Sequence, residues 1–250
     1  MSKLTVILPA AGKGTRLNLP YPKELLRLDT DGGLIDNCFK YFKDYHRRDD
    51  TGQEVEFVVV INEDKTDLIK YLAKYKDQFK ISFTFQNPEE EEYTGAIKSA
   101  YPLMGEYNLV LLPDTLMKLK QGDLYEEVMK SLFETGFVFL YKKEKNAEML
   151  KTKGALYINE DGNCIEYKDK PKTDVDRYNS FWCGFAFRKR AFMPCIKFME
   201  RSTLEQEELE NEITQTPMFG SKGIEVSDYS DLGTWPEIRK LFLNYEKDNK

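Results

Sequence analysis

The sequence is poor in the residues of thiolate and imidazole chemistry, with one histidine and four cysteines among 250 residues. The histidine, His46, lies at the end of a predicted helix, where capping or exposure to solvent is more usual than catalysis. None of the cysteines forms a Cys-x-x-Cys pair, which argues against a Cys/His zinc site. We expect Cys38, Cys164, Cys183 and Cys195 to be reduced core residues. An enzyme of this composition must use carboxylates, lysines, arginines, backbone amides or a hard metal ion.

Long apolar runs and an excess of positive charge are also missing. The longest runs, Phe57–Ile61 and Leu109–Leu112, are far shorter than the ~20 residues of a membrane-spanning helix. The segment Met1–Arg16 has neither the apolar core nor the cleavage site of a signal peptide. The net charge is -6, and no basic stripe that would follow a nucleic acid is visible. We therefore expect a cytoplasmic protein that binds neither membrane nor nucleic acid.

What the sequence has is a globular composition, with 41% hydrophobic and 32% charged residues. A length of 250 residues fits one α/β domain. Short apolar runs alternate with segments of helical spacing over about the first 150 residues, which predicts a parallel sheet covered on both faces. The predicted strands are Leu4–Leu8, Val55–Ile61, Ile81–Phe85, Leu109–Leu112 and Phe137–Tyr141, and the predicted helices lie around 34–45, 68–75, 94–101 and 124–133.

The pattern changes after about residue 150. Two short apolar segments flank Glu160–Asn163 and predict a hairpin. Phe181–Phe187 is an aromatic-rich predicted strand, and a short strand is expected at Ile224–Val226. Helices are predicted around 191–200, 204–214 and 235–245. The helix at 204–214 is acidic, and we interpret it either as a solvated helix or as a contact between two copies of the chain.

A glycine-containing loop follows the first predicted strand, in the segment Leu8–Leu17 (LPAAGKGTRL). Small residues and the two glycines, Gly12 and Gly14, allow backbone N–H groups to approach an anion closely. Lys13 and Arg16 add positive charge. Because phosphates bind at the carboxyl end of the first strand in α/β sheets, the loop predicts a phosphate site. The ordinary alternative is a tight turn that needs glycine only for its conformation.

The loop matches neither of two common nucleotide-binding motifs. A Walker A loop requires glycine at the position of Ile7, and a dinucleotide-binding fingerprint requires a third glycine where Leu17 stands. If this loop binds phosphate, it therefore belongs to another class of phosphate-binding segment.

The loop together with Pro22-Lys23 resembles the signature of the sugar nucleotidyltransferases, the nucleoside-diphosphate-sugar pyrophosphorylases of the glucose-1-phosphate thymidylyltransferase type. Further segments resemble motifs of this family in the same order along the chain, from about Leu4 to Trp235. Each motif is weak alone, but the ordered set is specific. The segments are Gln86 with Thr94-Gly95-Ala96, Leu111-Leu112-Pro113-Asp114, Lys153-Gly154-Ala155, Asp169-Lys170-Pro171, Cys183-Gly184-Phe185 and Ser230-Asp231-Leu232-Gly233-Thr234.

The resemblance implies an α/β, Rossmann-like three-layer nucleotidyltransferase fold, with a mostly parallel mixed sheet and a small acceptor-binding subdomain. Residues 1–250 would form a single nucleotidyltransferase domain. Its nucleotide-binding half would be about 1–150, its acceptor-binding half about 151–235, and 236–250 would be a C-terminal helix and tail. The partners implied are a nucleoside triphosphate and a phosphomonoester, with self-association left open.

The implied reaction is Mg²⁺-dependent in-line attack of a sugar 1-phosphate, or a related phosphomonoester, on the α-phosphate of the nucleotide. The second pKa of a phosphate monoester is ~6, so the nucleophile is ionised at neutral pH and needs no general base. That suits a chain with one histidine. By resemblance, the catalytic residues are Arg16, Lys23 and Lys170, the nucleotide-binding residues are Ala10, Ala11, Gly12, Gly14, Thr15, Gln86 and Gly95, the acceptor-binding residues are Gly154, Asp169 and Gly184, and the metal ligands are Asp114 and Asp231.

Each polar assignment has an ordinary structural alternative. Lys23 could be a surface lysine, and Lys170 could belong to a solvated charged face with its neighbouring lysines. Asp114 could be a turn residue or helix cap, and Asp231 could cap the last helix. Gln86 could be an exposed glutamine at the end of a strand.

The sequence departs from the family pattern mainly in the acceptor half. Asp169 replaces the usual glutamate, Lys153 replaces an expected aromatic residue, and the bulky pair Phe181-Trp182 precedes Gly184. These changes suggest an acceptor other than a simple hexose 1-phosphate. The acidic run Glu89–Glu92 would repel a triphosphate, so we expect it to face solvent or to form part of a mobile loop.

Three other functions remain open at this stage. A cytidylyltransferase could use CTP with phosphocholine or a phosphorylated amino-acid derivative. A glycosyltransferase of similar topology would normally show Asp-x-Asp, whereas Asp114 is followed by Thr115-Leu116. A non-catalytic paralogue that binds nucleotide sugars would be expected to lose Arg16, Lys23 or Asp114, and all three are present.

Overall fold

The computed structural model describes residues 3–29, 32–45, 54–90, 92–204 and 216–248. His46 and Glu91 lie outside these ranges, as does the predicted acidic helix after Leu204. The strands are β1 (Lys3–Pro9), β2 (Arg27–Asp29), β3 (Gly32–Gly33), β4 (Glu54–Ile61), β5 (Lys80–Phe85), β6 (Tyr107–Leu111), β7 (Thr115–Leu119), β8 (Phe137–Lys143), β9 (Gly154–Ile158), β10 (Cys164–Asp169), β11 (Ser180–Arg188) and β12 (Ile224–Asp231).

The helices lie close to the predicted positions with two exceptions: the first is shorter than predicted and continues as turns, and the one-turn helix at Ala147–Leu150 was not predicted. Asp123 caps the helix α4 (Leu124–Glu134) by accepting hydrogen bonds from the backbone N–H groups of Tyr125 and Glu126. Asn146 caps the helix α5 (Ala147–Leu150) in the same way. The helices are α1 (Asp36–Lys40), α2 (Asp67–Leu72), α3 (Tyr93–Ser99), α4 (Leu124–Glu134), α5 (Ala147–Leu150), α6 (Lys189–Thr203) and α7 (Trp235–Asp248).

Among the described residues, ten strands form one mixed sheet. Its main order is β5-β4-β1-β6-β11-β8-β12-β7, with β9 paired to β11 and β10 paired to β9. Strands β7, β10 and β11 run in one direction, and the other seven run in the opposite direction. The predicted parallel strands of the first half are confirmed in β5, β4, β1 and β6. Strand β8 pairs parallel with β12 but antiparallel with β11, and every antiparallel pair described in this sheet includes a strand from after residue 150.

Two apolar clusters cover the two faces of the sheet, as expected for a three-layer fold. Successive residues of β1 alternate between them: Val6 packs into the cluster that contains Phe39 of α1 and Val128 of α4, and Ile7 packs into the cluster that contains Ile97 of α3. Burying each such side chain contributes about 1.5–3 kcal/mol. Because its side chains alternate, β1 packs against helices on both faces of the sheet.

Strand β7 was missing from the sequence prediction, and it positions part of the site. Its sequence, Thr-Leu-Met-Lys-Leu, is short and only partly buried, so it lacks a continuous apolar run. It pairs antiparallel with β12, and the register places Thr115 opposite Asp231. Asp231 is the last residue of strand β12.

Two further expectations can be compared with the structure. All four cysteines are described, and each is buried and free of a disulfide, as predicted. Within the described ranges, no helix has both the length and the apolar character needed to cross a bilayer.

Candidate active site

The glycine loop follows β1 at the carboxyl ends of the parallel strands. The Ala10 N–H donates to the carbonyl of Val60 on the neighbouring strand, at 2.8 Å. Gly14 has φ +67°, a conformation that favours glycine. At Gly12, by contrast, no described atom would lie within 4 Å of an added Cβ. Ala10 and Ala11 are buried, while Gly12, Thr15 and Arg16 are exposed. The loop therefore presents an open surface at its tip.

Asn62, which follows β4, supports this loop. Its side-chain nitrogen donates to the Ala11 carbonyl at 2.7 Å. Its buried Oδ1 has no hydrogen-bond partner among the described residues. A buried acceptor of this kind calls for a donor, so Asn62 is a candidate ligand-binding residue that the sequence analysis did not select.

A buried ion pair anchors the segment that carries Lys23. The Lys65 ammonium lies 2.8 Å from Oε1 and 2.9 Å from Oε2 of Glu24. The two side chains are 5% and 1% exposed. Burial raises the pKa of the Glu24 carboxyl and lowers the pKa of Lys65, and their mutual attraction opposes both shifts. The pair fixes the short turn at Lys23, whose Nζ lies 2.5 Å from Oδ2 of Asp114.

Asp114 and Asp231 are brought together by the pairing of β7 with β12. The Leu232 N–H donates to the Asp114 carbonyl at 2.9 Å, which closes the end of the ladder. A Cβ built on Gly233 would lie 3.1 Å from Oδ1 of Asp231 and 3.4 Å from Oδ2 of Asp114. The same point is 3.0 Å from Nη2 of Arg16. Three groups from distant parts of the sequence therefore converge on Gly233, which was not among the predicted site residues.

The Asp231 carboxylate is held by three neighbouring groups. Oδ1 accepts a hydrogen bond from the Gly233 N–H at 3.0 Å, and Oδ2 lies 2.5 Å from Nζ of Lys153. Burial alone would raise the pKa of Asp231, but the Lys153 ammonium, the Gly233 N–H and the charge of Arg16 outweigh it and lower the pKa below its ordinary value. The carboxylate is therefore ionised at neutral pH.

The two aspartates fit a magnesium site. Carboxylate oxygens are the donors that Mg²⁺ prefers, and this ion usually takes only one or two protein carboxylates and fills its other positions with water and phosphate oxygens. Within the described ranges, no group of three or more His, Cys, Asp or Glu side chains could hold a metal. Among the described residues, the pair of carboxylates beside the glycine loop is a donor set that suits this ion.

The predicted acceptor motif lies at the end of β10. The Asp169 side chain is 6% exposed, and the Asp169 N–H donates to Oγ of Ser202 at 2.9 Å. Burial raises the pKa of Asp169, although the charge of Lys170 and a hydrogen bond from Thr203 oppose the shift. Lys170 has φ +45° and is 61% exposed, and its N–H donates to the Lys153 carbonyl at 2.9 Å. Lys153 thus links this turn to Asp231.

The glycines assigned to the acceptor lie against protein groups. A Cβ on Gly154 would overlap the indole ring of Trp182, and a Cβ on Gly184 would lie 2.8 Å from the Val110 carbonyl. Trp182 is 9% exposed, and its indole N–H has no hydrogen-bond partner in the described part of the chain. The close approach at Gly154 is therefore made by Trp182 itself, and the acceptor role of both glycines remains a prediction.

Gln86 and Gly95 form a separate group beside β5 and α3. The Gln86 side chain donates to the carbonyls of Glu90, at 2.5 Å, and Glu92, at 3.2 Å. A Cβ on Gly95 would overlap the backbone of Glu90. The acidic segment thus folds back over α3. A hydrogen bond of 3.0 Å between the hydroxyls of Tyr93 and Tyr167 connects α3 to β10.

Comparison with known proteins gives structural but not sequence matches. No family model matches the sequence, and no curated protein matches it. A structure of apo UDP-glucose pyrophosphorylase is similar, with 18% identity, a TM-score of 0.76 and coverage of 100% of both chains. UDP-glucose pyrophosphorylase complexed with UDP-glucose is 19% identical, with a TM-score of 0.74 over 99% of this chain and 100% of that one.

A third similar structure is a putative glucose-1-phosphate thymidylyltransferase from Bacillus anthracis in complex with sucrose. It is 17% identical, with a TM-score of 0.71 over 96% of this chain and 93% of that one. At these identities the agreement concerns the backbone, and it extends over nearly the whole length of both chains. The chain therefore has the Rossmann-like fold of the sugar nucleotidyltransferases.

Proposed function

We propose that this protein is a sugar nucleotidyltransferase, which transfers a nucleotidyl group from a nucleoside triphosphate to a sugar 1-phosphate and releases pyrophosphate. The observation that carries the proposal is the convergence of Arg16, Asp114 and Asp231 on Gly233, with Lys23 on Asp114. These groups lie beside an open glycine loop at the carboxyl end of the parallel strands, where α/β proteins bind phosphates. Both the sequence motifs and the shared fold support the same reaction class.

In the proposed reaction, an oxygen of the acceptor phosphate attacks the α-phosphorus of the nucleotide. One P–O bond forms, the bond from the α-phosphorus to the bridging oxygen breaks, and pyrophosphate leaves with the electron pair. The ionised acceptor needs no general base. The protein must instead bring anions together and balance their charge.

The residues divide this work between the two substrates. Backbone N–H groups of the loop from Ala10 to Thr15 would hold the triphosphate, and Arg16 and Lys23 would balance the charge that develops on the leaving pyrophosphate. Lys170 would hold the acceptor phosphate, and the Asp169 carboxylate would accept hydrogen bonds from acceptor hydroxyls. In the nucleotide half, Gln86 and Gly95 would lie beside the base.

Asp114 and Asp231 would hold Mg²⁺. When bound, the ion would neutralise phosphate charge and orient the nucleotide. Lys23 and Lys153 now contact these carboxylates, so the protein supplies positive charge at both positions before substrate binds.

We favour a sugar phosphate over the non-sugar acceptors. The similar structures are sugar nucleotidyltransferases, and one of them holds UDP-glucose. UTP with glucose 1-phosphate is therefore the first substrate pair to test. Self-association, the division into two halves and a cytoplasmic location remain predictions.

The test is pyrophosphate release in the presence of Mg²⁺, with each of four nucleoside triphosphates crossed against sugar 1-phosphates and non-sugar phosphomonoesters. We expect release with one sugar phosphate and one or two nucleotides. Release only with a non-sugar phosphate would transfer the protein to the cytidylyltransferase-like class. Nucleotide binding without release from any pair would contradict the proposed activity.

A further inference from the structure

Lys153 is a charged residue of the site that the sequence motifs leave without a role. It precedes β9, and its Nζ lies 2.5 Å from Oδ2 of Asp231. The side chain is 20% exposed, and the ring centroid of Tyr229 lies 5.8 Å from the ammonium. Exposed ion pairs stabilise proteins little, but a short, partly buried contact holds both side chains in one geometry. Lys153 therefore fixes the orientation of Asp231 in the substrate-free protein.

The charges around Gly233 indicate that a divalent cation at Asp231 would weaken this contact. Three cations, Arg16, Lys23 and Lys153, face two carboxylates, Asp114 and Asp231. Oδ1 of Asp231 already accepts the Gly233 N–H, and the Lys153 ammonium occupies Oδ2. A divalent cation on Asp231 competes with that ammonium, because two positive charges at one carboxylate repel each other.

The backbone places Lys153 beside the turn that carries Lys170. The Lys153 carbonyl accepts the Lys170 N–H at 2.9 Å, so Lys153 adjoins the Asp169-Lys170-Pro171 turn. This turn is the part of the site to which the proposed function assigns the acceptor phosphate. A flexible lysine side chain could therefore reach a phosphate held at this turn once it leaves Asp231.

We propose that Lys153 is a positioning residue with two partners. Its ammonium pairs with the Asp231 carboxylate in the free protein, and it moves to the acceptor phosphate when the metal and nucleotide bind. The exchange rests on the proposed function. It couples metal binding at Asp231 to acceptor binding, since each favours the state in which the Lys153–Asp231 pair is broken. It also defines the acceptor class: two lysines, Lys153 and Lys170, would face one phosphate, which favours a dianionic monoester over a diester.

The first test measures binding of Mn²⁺ alone, by electron paramagnetic resonance of the free ion, and needs no turnover. Lys153→Met removes the competing ammonium while keeping an unbranched side chain of similar length, so we expect Mn²⁺ to bind about five- to tenfold more tightly than to the wild type. Lys153→Arg keeps the charge and should resemble the wild type. Lys151→Met is the matched control, because Lys151 pairs only with the exposed Glu148 among the ion pairs described. Equal or weaker Mn²⁺ binding by Lys153→Met would overturn the proposal.

The second test separates positioning from general damage to the site. With the acceptor identified by pyrophosphate release, Lys153→Met should raise the KM for the acceptor about tenfold and leave the KM for the nucleotide within twofold. The KM for the acceptor in Lys153→Arg should lie much closer to the wild-type value than in Lys153→Met. A fall in kcat with both KM values unchanged would contradict the exchange. If the wild type releases no pyrophosphate, the proposed function fails, and the Mn²⁺ measurement still decides whether Lys153 competes for Asp231.

Discussion

The proposed nucleotide side and the proposed acceptor side of the candidate site are built in different ways. On the nucleotide side, the tip of the loop at Gly12 has no described atom within 4 Å of an added Cβ, and the charged side chains face one another across Gly233. On the acceptor side, the space beside Gly154 is filled by the indole of Trp182, and Asp169 is buried. Open backbone suits a phosphate chain, which any nucleotide carries. Packed side chains suit discrimination among acceptors, so acceptor choice should depend on Trp182 and its neighbours.

The largest expected effect comes from the buried pair beneath the nucleotide side. Lys65→Met leaves the Glu24 carboxyl buried without its partner, which should lower the free energy of unfolding by about 3–5 kcal/mol. Urea denaturation measures this change. The double variant Glu24→Gln with Lys65→Met should recover more than half of the loss, because no buried charge remains. Lys70→Met, at an exposed lysine, is the control. A loss below about 1 kcal/mol in Lys65→Met would show that the pair contributes little to the anchoring of Lys23.

The second effect concerns catalysis on the same side. Asp114→Asn should fold normally and lower kcat by about 10²–10³-fold, because the amide removes the negative charge that would hold Mg²⁺ and that Lys23 now contacts. Steady-state pyrophosphate release, with the free energy of unfolding measured in parallel, separates catalysis from stability. Turnover near that of the wild type would contradict a metal role for Asp114.

Much of the nucleotide side could be predicted from sequence, and the reasons are local. Strand β1 is an apolar run that ends at Pro9, and the glycine loop follows directly, so both could be placed without knowledge of distant residues. Asp114 was found in the same way, after the apolar strand β6. The convergence with Asp231 could not be derived from pattern, because it depends on β7, whose partly buried sequence gives no clear period.

The contacts that were missed are long-range pairs of charged or polar groups. Glu24 and Lys65 are separated by 41 positions, and Lys153 and Asp231 by 78. Nothing in the spacing of a lysine reveals the carboxylate that it meets. Trp182 was recognised as unusually bulky, but its position against Gly154 depends on how β9 pairs with β11. Periodicity identified the elements, while the contacts between them needed the structure.

The third prediction compares two glycines directly. Gly154→Ala forces the Trp182 indole to move, which should lower the free energy of unfolding by about 1–3 kcal/mol. Gly12→Ala has open space around it, so stability should change by no more than about 0.5 kcal/mol while the Kd for nucleotide rises. Urea denaturation and nucleotide titration measure the two effects. Equal stability losses in both variants would remove the distinction between an open and a packed side.

The smallest effect is a difference in pH dependence between Asp231 and Asp169. The pKa of Asp231 is lowered from its ordinary value of 3.8, mainly by Lys153 acting against burial. Asp231 therefore contributes to the free energy of unfolding above pH 3.8, and this contribution is lost as the pH falls through the folded-state pKa. The pKa of Asp169 is raised from 3.8, chiefly by burial. The contribution of Asp169 to the free energy of unfolding is therefore present below pH 3.8 and is lost as the pH rises through the folded-state pKa.

Urea denaturation between pH 3 and pH 6 tests this opposition with Asp231→Asn and Asp169→Asn, each compared with the wild type. Below pH 3.8, the wild type should lose stability relative to Asp231→Asn as the pH falls. Above pH 3.8, the wild type should lose stability relative to Asp169→Asn as the pH rises. Each slope follows from which state binds more protons: the unfolded state in the first case, and the folded state in the second. If stability rose with pH in both comparisons, the charged neighbours and not burial would control both carboxylates, and the acceptor side would then resemble the nucleotide side in its electrostatics.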